Sequence, residues 1–219
     1  MPDTSRSRSV SSSNAEGYYA NERPDVVAVL PRPLGRVLDV GCGAGAMAPA
    51  LRAAGATEVV GVEIAPEPAA LAAKLLNRVV NAPVEEALDA LDGAFDTTLC
   101  LDVLEHLVEP GEVVERLRML AAPGGALQVS VPNARHYSLV RDLVVRGTFG
   151  YSDFGHRDKT HLRWFTRHDI VALIEAAGWR VVVTSVPPLH RSAMLHRWTR
   201  GWSSEFLVAQ VYITARNPG

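Results

Sequence analysis

The segment from residue 155 to 165 concentrates side chains that can move protons or bind anions. It contains His156 and His161, and histidine is the side chain best suited to accept a proton near neutral pH. It also contains three cations that can hold a phosphate or a carboxylate: Arg157, Lys159 and Arg163. These residue types predict a catalytic or substrate-binding segment, although a solvated basic surface would explain the cations equally well.

A second segment with chemical potential is glycine-rich and covers residues 37–45. Its first residues form a short apolar run typical of a buried strand, and Gly41, Gly43 and Gly45 then allow a tight turn close to a ligand. The spacing G-x-G-x-G differs from the G-x-G-x-x-G of dinucleotide folds. Acidic residues follow later strands at Glu63 and Asp102, which gives the glycine turn more weight than it would have alone.

Composition limits the classes of protein that the chain can represent. It has 219 residues, a formal net charge of −2 and two cysteines, which predicts one domain, argues against a nucleic-acid partner and favours a reducing cytoplasm. The acidic residues are concentrated before residue 135 and a basic excess follows. No apolar stretch is long enough for a membrane span. The Ser/Arg-rich residues 1–16 predict a disordered tail before a single domain over 17–219.

The elements that must position these residues alternate between strand and helix. Strands are predicted at 36–40, 58–63, 79–80, 95–102, 126–131, 180–185 and 206–215. Helices are predicted at 18–30, 46–54, 66–77, 84–91, 110–120, 137–145 and 166–177. Such alternation is typical of a doubly wound α/β sheet, whose ligands bind at the carboxyl ends of its strands. Substrate-recognition insertions are expected at about 133–165 and 187–204.

Two motifs carry a resemblance to a known family. V-L-D-V-G-C-G-A-G at residues 37–45, Glu63, and D-V-L-E-H at residues 102–106 resemble the class I S-adenosylmethionine-dependent methyltransferases, in particular the group that acts on small molecules. The resemblance spans almost all of the chain after its tail. It implies a Rossmann-like, seven-stranded, mostly parallel sheet with an antiparallel last strand, and S-adenosylmethionine as cofactor.

The resemblance also assigns cofactor roles. Asp39 would orient the glycine loop and contact the amino group, Glu63 would bind both ribose hydroxyls, and Arg23 would pair with the methionine carboxylate; for Asp39, a loop brace remains an alternative. An acidic residue that relatives often carry after strand 3 is replaced by Pro83, which leaves adenine to Val84 and Glu85. The implied cofactor residues are Tyr19, Arg23, Asp39, Gly41, Cys42, Gly43, Gly45, Glu63, Ile64, Val84, Glu85, Leu101, Asp102 and Leu104.

The acceptor side is assigned to histidines. We expect His161 to act as base or to orient the substrate, with His106 and His156 as reserves; the alternative is that His161 braces the helix that begins near Thr166. Arg157, Lys159, Arg163 and Trp164 are expected to contact an acceptor, which the cations allow to be anionic. No metal is expected, although Glu105 and His106 could form part of a metal site.

The predicted function is methyl transfer from S-adenosylmethionine to oxygen of a small molecule, for example a sugar hydroxyl of a glycoside or glycan precursor. Two alternatives remain: an N-methyltransferase of an amino sugar or another small amine, and a module that binds the cofactor without turnover. The expected partner is a small-molecule acceptor; no nucleic acid and no membrane span are expected, and the oligomeric state is open.

Overall fold

The computed structural model describes residues 22–153, 155–185 and 204–219. Within them, seven strands form one sheet: β1 (Gly35–Val40), β2 (Ala56–Val62), β3 (Arg78–Val80), β4 (Phe95–Leu101), β5 (Ala121–Pro132), β6 (Arg180–Ser185) and β7 (Gln210–Arg216). Their spatial order is β3-β2-β1-β4-β5-β7-β6, and β7 runs antiparallel to both of its neighbours. The predicted α/β class, with a mostly parallel sheet and an antiparallel last strand, is confirmed.

Helices cover both faces of this sheet. They are α1 (Pro24–Val29), α2 (Ala48–Ala53), α3 (Pro66–Ala72), α4 (Val84–Ala87), α5 (Pro110–Leu120), α6 (Tyr137–Arg146), α7 (Arg167–Ala176) and α8 (Ser204–Leu207). Successive residues of β1 point to opposite faces, so Val37 joins the core beneath α1 and α2 while Leu38 joins the core beneath α5 and α7. Burial on both faces explains why the central strands read as apolar runs. No helix in the described residues is long and apolar enough to cross a membrane.

The largest difference from the predicted elements lies at β5. The strand was predicted at 126–131, but it begins at Ala121 and carries an irregularity at Pro123-Gly124-Gly125, between the pairs Phe95–Ala121 and Thr97–Ala126. Gly124 adopts a φ of 75°, and a Cβ on Gly125 would lie 2.9 Å from the carbonyl oxygen of Phe95. The glycines therefore permit a bulge within the strand rather than a turn before it.

Other element boundaries differ where local packing changes the pattern. Helix α3 ends at Ala72 rather than residue 77, and residues 204–207, predicted in part as strand, form the short α8 before β7. Thr166 is the N-cap of α7: its Oγ1 accepts the N–H of Asp169, whose carboxylate accepts the Thr166 N–H in return. Because Asp169 completes this capping box, α7 needs no brace from His161.

The end of β4 determines where the functional side chains lie. Asp102, directly after the strand, has a φ of 57°, and Leu104–His106 then form a single 3₁₀ turn. The segment after α6 docks on this turn, since the N–H groups of Leu162 and Arg163 both donate to the carbonyl oxygen of Glu105, at 2.8 and 3.0 Å. The two histidine-bearing segments of the sequence are thereby brought together.

Candidate active site at the carboxyl edge of the sheet

A cavity of about 550 Å³ opens at the carboxyl ends of the parallel strands. Its volume falls within the range typical of small-molecule sites. Its walls come from the ends of β1 and β2, the start of α4, the turn after β4 and the segment after α6. The lining residues are Val40, Gly41, Val62, Glu63, Ile64, Ala82, Pro83, Val84, Glu85, Asp102, Val103, His106, Leu107, Asp153, Asp158 and Thr160.

The glycine loop uses its N–H groups to hold itself in place. The N–H groups of Gly41 and Cys42 both donate to the carbonyl oxygen of Val62, at 2.8 and 3.0 Å, and the N–H of Gly43 donates to Glu63 Oε2 at 3.0 Å. The N–H of Gly45 donates to the Cys42 carbonyl at 2.9 Å. We expected these groups to face a ligand, but four of them are already engaged, so the loop is no cradle for a phosphate.

Two buried carboxylates lie behind this loop. Asp39 is 4% exposed and Glu63 is 5% exposed. Burial, together with the neighbouring charge of Glu63, raises the pKa of Asp39 to about 7. Glu63 Oε1 accepts the N–H of Ala65 at 2.7 Å, so each of its oxygens accepts one backbone N–H and keeps a further lone pair. The local charge is negative, which suits a cationic ligand.

Asp102 anchors a polar network across β4, β5 and β7. Arg23 Nη1 donates to Asp102 Oδ2 at 2.7 Å, while Ser130 Oγ and Gln210 Nε2 each donate to Oδ1 at 2.9 Å. Arg23 Nη2 also donates to the hydroxyl of Tyr212 at 3.0 Å. Arg23, expected to face a carboxylate of the cofactor, is therefore held by a carboxylate of the protein. Ser130, Gln210 and Tyr212 were missed, because only the pairing of β5 with β7 brings them together.

The far end of the cavity has the features expected for adenine. Ile64, 67% exposed, lies at its rim beside Pro83 and Val84. The N–H groups of Val84 and Glu85 occupy the first turn of α4, where a helix offers them no internal acceptor. Adenine was expected to contact backbone groups of Val84 and Glu85 or the Glu85 side chain, and both residues line the cavity.

Among the histidines that the structure describes, His106 is the one that lines the cavity. Its Nδ1 lies 3.3 Å from both the carbonyl oxygen and Oγ1 of Thr160. A carbonyl oxygen only accepts, so this contact assigns the proton to Nδ1 and leaves Nε2 as the acceptor nitrogen. Thr160 is held in turn by Asp158, whose Oδ1 accepts both the N–H and the hydroxyl of Thr160 at 2.8 Å.

His161 lies behind His106 rather than on the cavity wall. Its side chain is only 5% exposed, its ring centroid is 4.8 Å from that of His106, and burial lowers its pKa. Its Nε2 lies 4.0 Å from Oε1 of Glu105, which is 1% exposed. Burial, with a smaller contribution from Asp102, raises the pKa of Glu105 well above its usual range. Both Glu105 oxygens and His161 Nδ1 lack a hydrogen-bond partner among the described residues.

The same three residues are the candidates for a metal. Glu105, His106 and His161 offer donor atoms separated by up to 4.8 Å. Bonds of about 2.1 Å would bring any two ligand atoms within about 4.2 Å of each other. The cluster would therefore have to contract around an ion, and no further His, Cys, Asp or Glu of the described chain completes it.

The remaining residues expected to bind the acceptor lie outside the cavity wall. His156 Nε2 contacts Ser138 Oγ at 3.3 Å, and Arg157 Nη1 donates to Asp142 at 2.8 Å. Lys159 pairs with Asp153, Arg163 Nε donates to the carbonyl oxygen of Val108, and the Trp164 ring packs against Phe149 and His161. The part of the segment after α6 that lines the cavity consists instead of Asp153, Asp158 and Thr160. We did not select these residues from the sequence.

Several residues expected to contact the cofactor support the site from behind. Cys42 packs on Gly61, where an added Cβ would lie 2.6 Å from its sulfur, and burial raises the pKa of its thiol. Leu104 is fully buried in the core, and Val103 takes the place on the cavity wall expected for Leu104. Gly43, Gly45 and Leu101 do not line the cavity either. Tyr19 lies outside the described residues.

Comparison with known proteins agrees with this geometry. A family model described as a methyltransferase domain matches residues 13–184. A ubiquinone biosynthesis O-methyltransferase of Psychrobacter arcticus is 34% identical over an alignment that covers 63% of this chain and 62% of that protein. A second protein of that name, from Bordetella bronchiseptica, is 35% identical over 54% of this chain and 55% of its own length. The chain thus spans less than two thirds of these relatives.

Solved structures share the fold at low sequence identity. A methyltransferase dependent on S-adenosylmethionine from Archaeoglobus fulgidus superposes with a TM-score of 0.64 at 18% identity, over 92% of this chain and 94% of that one. Another such methyltransferase, from Mesorhizobium loti, superposes with a TM-score of 0.62 at 16% identity, over 92% of this chain and 99% of that one. The class predicted from the two motifs, an S-adenosylmethionine-dependent methyltransferase, is confirmed. Because the family model covers most of its length, the chain belongs to the methyltransferase-domain family.

Proposed function

We propose that this protein transfers the methyl group of S-adenosylmethionine to a hydroxyl of a small-molecule acceptor, in the cavity at the carboxyl edge of the sheet. The observation that carries the cofactor assignment is the engagement of the glycine loop's N–H groups by Val62 and Glu63. A dinucleotide needs such groups for its pyrophosphate. A sulfonium with an ammonium group needs negative charge instead, and Asp39 and Glu63 provide it.

Each part of the cofactor has a partner in this arrangement. The remaining lone pairs of Glu63 accept the ribose hydroxyls, and the N–H groups of Val84 and Glu85 face the adenine ring. Asp39 and Asp102 attract the ammonium group. The methionine carboxylate shares Arg23 with Asp102, since the 2.7 Å pair holds that guanidinium at the same strand end.

On the acceptor side, His106 is the better candidate for the base than His161. Its Nε2 is the unprotonated nitrogen of a ring that lines the cavity, whereas His161 is enclosed behind it. As the acceptor oxygen attacks the methyl carbon in line, Nε2 takes the hydroxyl proton. The new C–O bond forms while the C–S bond breaks, and its electron pair returns to sulfur. Alignment supplies about 7–11 kcal/mol of the barrier.

A phenolic hydroxyl suits this site better than the sugar hydroxyl expected from the sequence. Val40, Val62, Val103 and Leu107 give the cavity apolar walls, which favour a flat aromatic ring. A phenol has a pKa of about 10, like tyrosine, and is a much stronger acid than an alcohol. A histidine base therefore removes the proton of a phenol far more readily than that of an alcohol. The two curated relatives bear the name of O-methyltransferases of ubiquinone biosynthesis, which also favours transfer to oxygen.

The test combines binding with turnover. Calorimetry should show binding of S-adenosylhomocysteine and none of NADH, and mass spectrometry should show a methyl ether of catechol after incubation with S-adenosylmethionine. The assay is run with EDTA and with added Mg²⁺, because Glu105, His106 and His161 could contract around an ion. Cofactor binding without methylation of phenols, alcohols or amines would indicate a binding module, and methylation of amines alone would replace the proposed acceptor.

A further inference from the structure

The end of the cavity beside His106 presents acidic side chains to an acceptor. Asp153 and Asp158 line it together with Thr160 and His106, and Asp102 lies at the neighbouring strand end. Among the described residues that line the cavity, none is a lysine or an arginine. The basic excess of the surrounding sequence therefore does not reach the cavity wall.

The three cations of residues 155–165, all within the described chain, are each engaged with another group. Arg157, with a side chain only 13% exposed, pairs with Asp142 at 2.8 Å, and Arg163 Nε donates to the Val108 carbonyl at 3.1 Å. Lys159 pairs with Asp153 at 2.6 Å, and both side chains are exposed. Lys159 therefore offsets mainly the charge of Asp153, and its electrostatic attraction to Asp158 is weaker.

Asp158 is held rigidly with its charge directed at the cavity. Its Oδ1 accepts two hydrogen bonds from Thr160, and both donors, the N–H and the hydroxyl, are neutral groups. It is half-buried, so water screens its charge less than that of a fully exposed side chain. An acceptor bound against His106 therefore lies next to a fixed negative charge.

We infer that the acceptor carries no negative charge, and that Asp158 is the residue that excludes anionic acceptors. The inference rests on the proposed function, which identifies this cavity as the acceptor site. It replaces the expectation, drawn from the basic segment, that the acceptor could be anionic. A carboxylate on the acceptor ring would be repelled by Asp158, and a discrimination of about tenfold is expected for one charge pair at this depth. A cationic substituent would be attracted by the same charge.

The experiment uses three acceptors that share one ring and differ in charge: catechol, 3,4-dihydroxybenzoate and 3,4-dihydroxyphenethylamine. Their dissociation constants are measured by calorimetry on the protein loaded with S-adenosylhomocysteine, and their kcat/KM values by methyl transfer. The variants are D158N, which keeps an oxygen for Thr160, and D158K. Asp92→Lys is the matched control, because Asp92 is 92% exposed and does not line the cavity.

The benzoate is expected to bind about tenfold more weakly than catechol, and the amine at least as tightly as catechol. The affinity for the benzoate divided by the affinity for catechol should rise towards one in D158N and exceed one in D158K, and the ratio of the two kcat/KM values should change in the same way. Asp92→Lys should leave both ratios unchanged. Ratios cancel any general loss of activity from misplacing Thr160. If the unaltered protein binds the benzoate as tightly as catechol or more tightly, the inference is overturned. It is also overturned if the ratios are the same in D158N and D158K as in the unaltered protein. Binding in the expected order without methylation would contradict the proposed function alone.

Discussion

The two ends of the cavity are built in different ways. At the cofactor end, the polar groups are fixed by the sheet itself: Glu63 lies directly after β2 and accepts the N–H groups of Gly43 and Ala65. At the acceptor end, His106 stands on a single 3₁₀ turn, and its orientation depends on Thr160, which belongs to a segment 54 positions later in the chain.

Because of this difference, we expect that the cofactor end and the acceptor end can be altered separately by mutation. Backbone hydrogen bonds between neighbouring strand ends hold the cofactor end, so a change there alters the binding of every cofactor analogue. Two N–H groups that donate to the Glu105 carbonyl dock the acceptor segment, so a change there alters turnover and acceptor choice. The predictions below test that separation.

The largest effect is expected for His106→Gln. Loss of the base should lower kcat for catechol by a factor on the order of 10²–10⁴, with the affinity for S-adenosylhomocysteine unchanged. Steady-state kinetics and calorimetry on the same preparation measure both quantities. His168→Gln is the matched control, since His168 is 92% exposed on α7. A larger loss of kcat in His161→Gln than in His106→Gln would restore His161 as the base.

A change at the cofactor end should give the reverse pattern. In Glu63→Gln, the amide NH₂ would face the N–H of Gly43 or Ala65, and two donors cannot pair. We expect the affinity for S-adenosylhomocysteine to fall by about a hundredfold, because a charged acceptor is lost and a buried donor is left unpaired. Glu86→Gln provides the control, as Glu86 is exposed and does not line the cavity. A normal dissociation constant in Glu63→Gln would show that this carboxylate does not bind ribose.

A further effect at the cofactor end concerns pH and Asp39. The pKa of Asp39 is about 7 in the folded protein and about 3.9 when unfolded, so the folded state binds the extra proton between these values. Stability should therefore fall as pH rises from 4 to 7, by up to about 4 kcal/mol for this group. Asp39→Asn removes that loss, so its melting temperature should exceed that of the unaltered protein at pH 8 and match it near pH 4.5.

Binding of the cofactor should show the opposite preference. A cation favours the ionised carboxylate, so the affinity for S-adenosylhomocysteine should weaken as pH falls below about 7. Asp39→Asn should bind weakly at every pH and lose this dependence. Calorimetry at several pH values measures it. An Asn variant that is more stable at pH 8 and also binds normally would contradict the role of Asp39 at the ammonium group.

That Gly41 and Glu63 line the cavity could be predicted from the sequence because both follow strand ends. Gly41 and Glu63 each come directly after an apolar strand, and parallel strands bring such residues to one edge. The use of the loop's N–H groups could not be predicted, since it depends on the position of the Val62 carbonyl in the neighbouring strand.

The acceptor end was predicted less well because its geometry is tertiary. The left-handed conformation of Asp102 breaks the alternation of the strand, so Val103 faces the cavity and Leu104 enters the core. Charge pairing then turns Arg157 and Lys159 away, and no spacing in the sequence indicates that Asp142 and Asp153 are their partners. The residue types located the segment but not the side chains that face the acceptor.

The central claim is tested most directly by a crystal structure of the protein with S-adenosylhomocysteine and catechol. The account predicts a catechol oxygen within hydrogen-bonding distance of His106 Nε2 and facing the cofactor sulfur. It also predicts that Gly41 and Cys42 still donate to Val62 and that Gly43 still donates to Glu63. A catechol oxygen on His161 or His156, or a glycine loop whose N–H groups turn to the ligand, would contradict it.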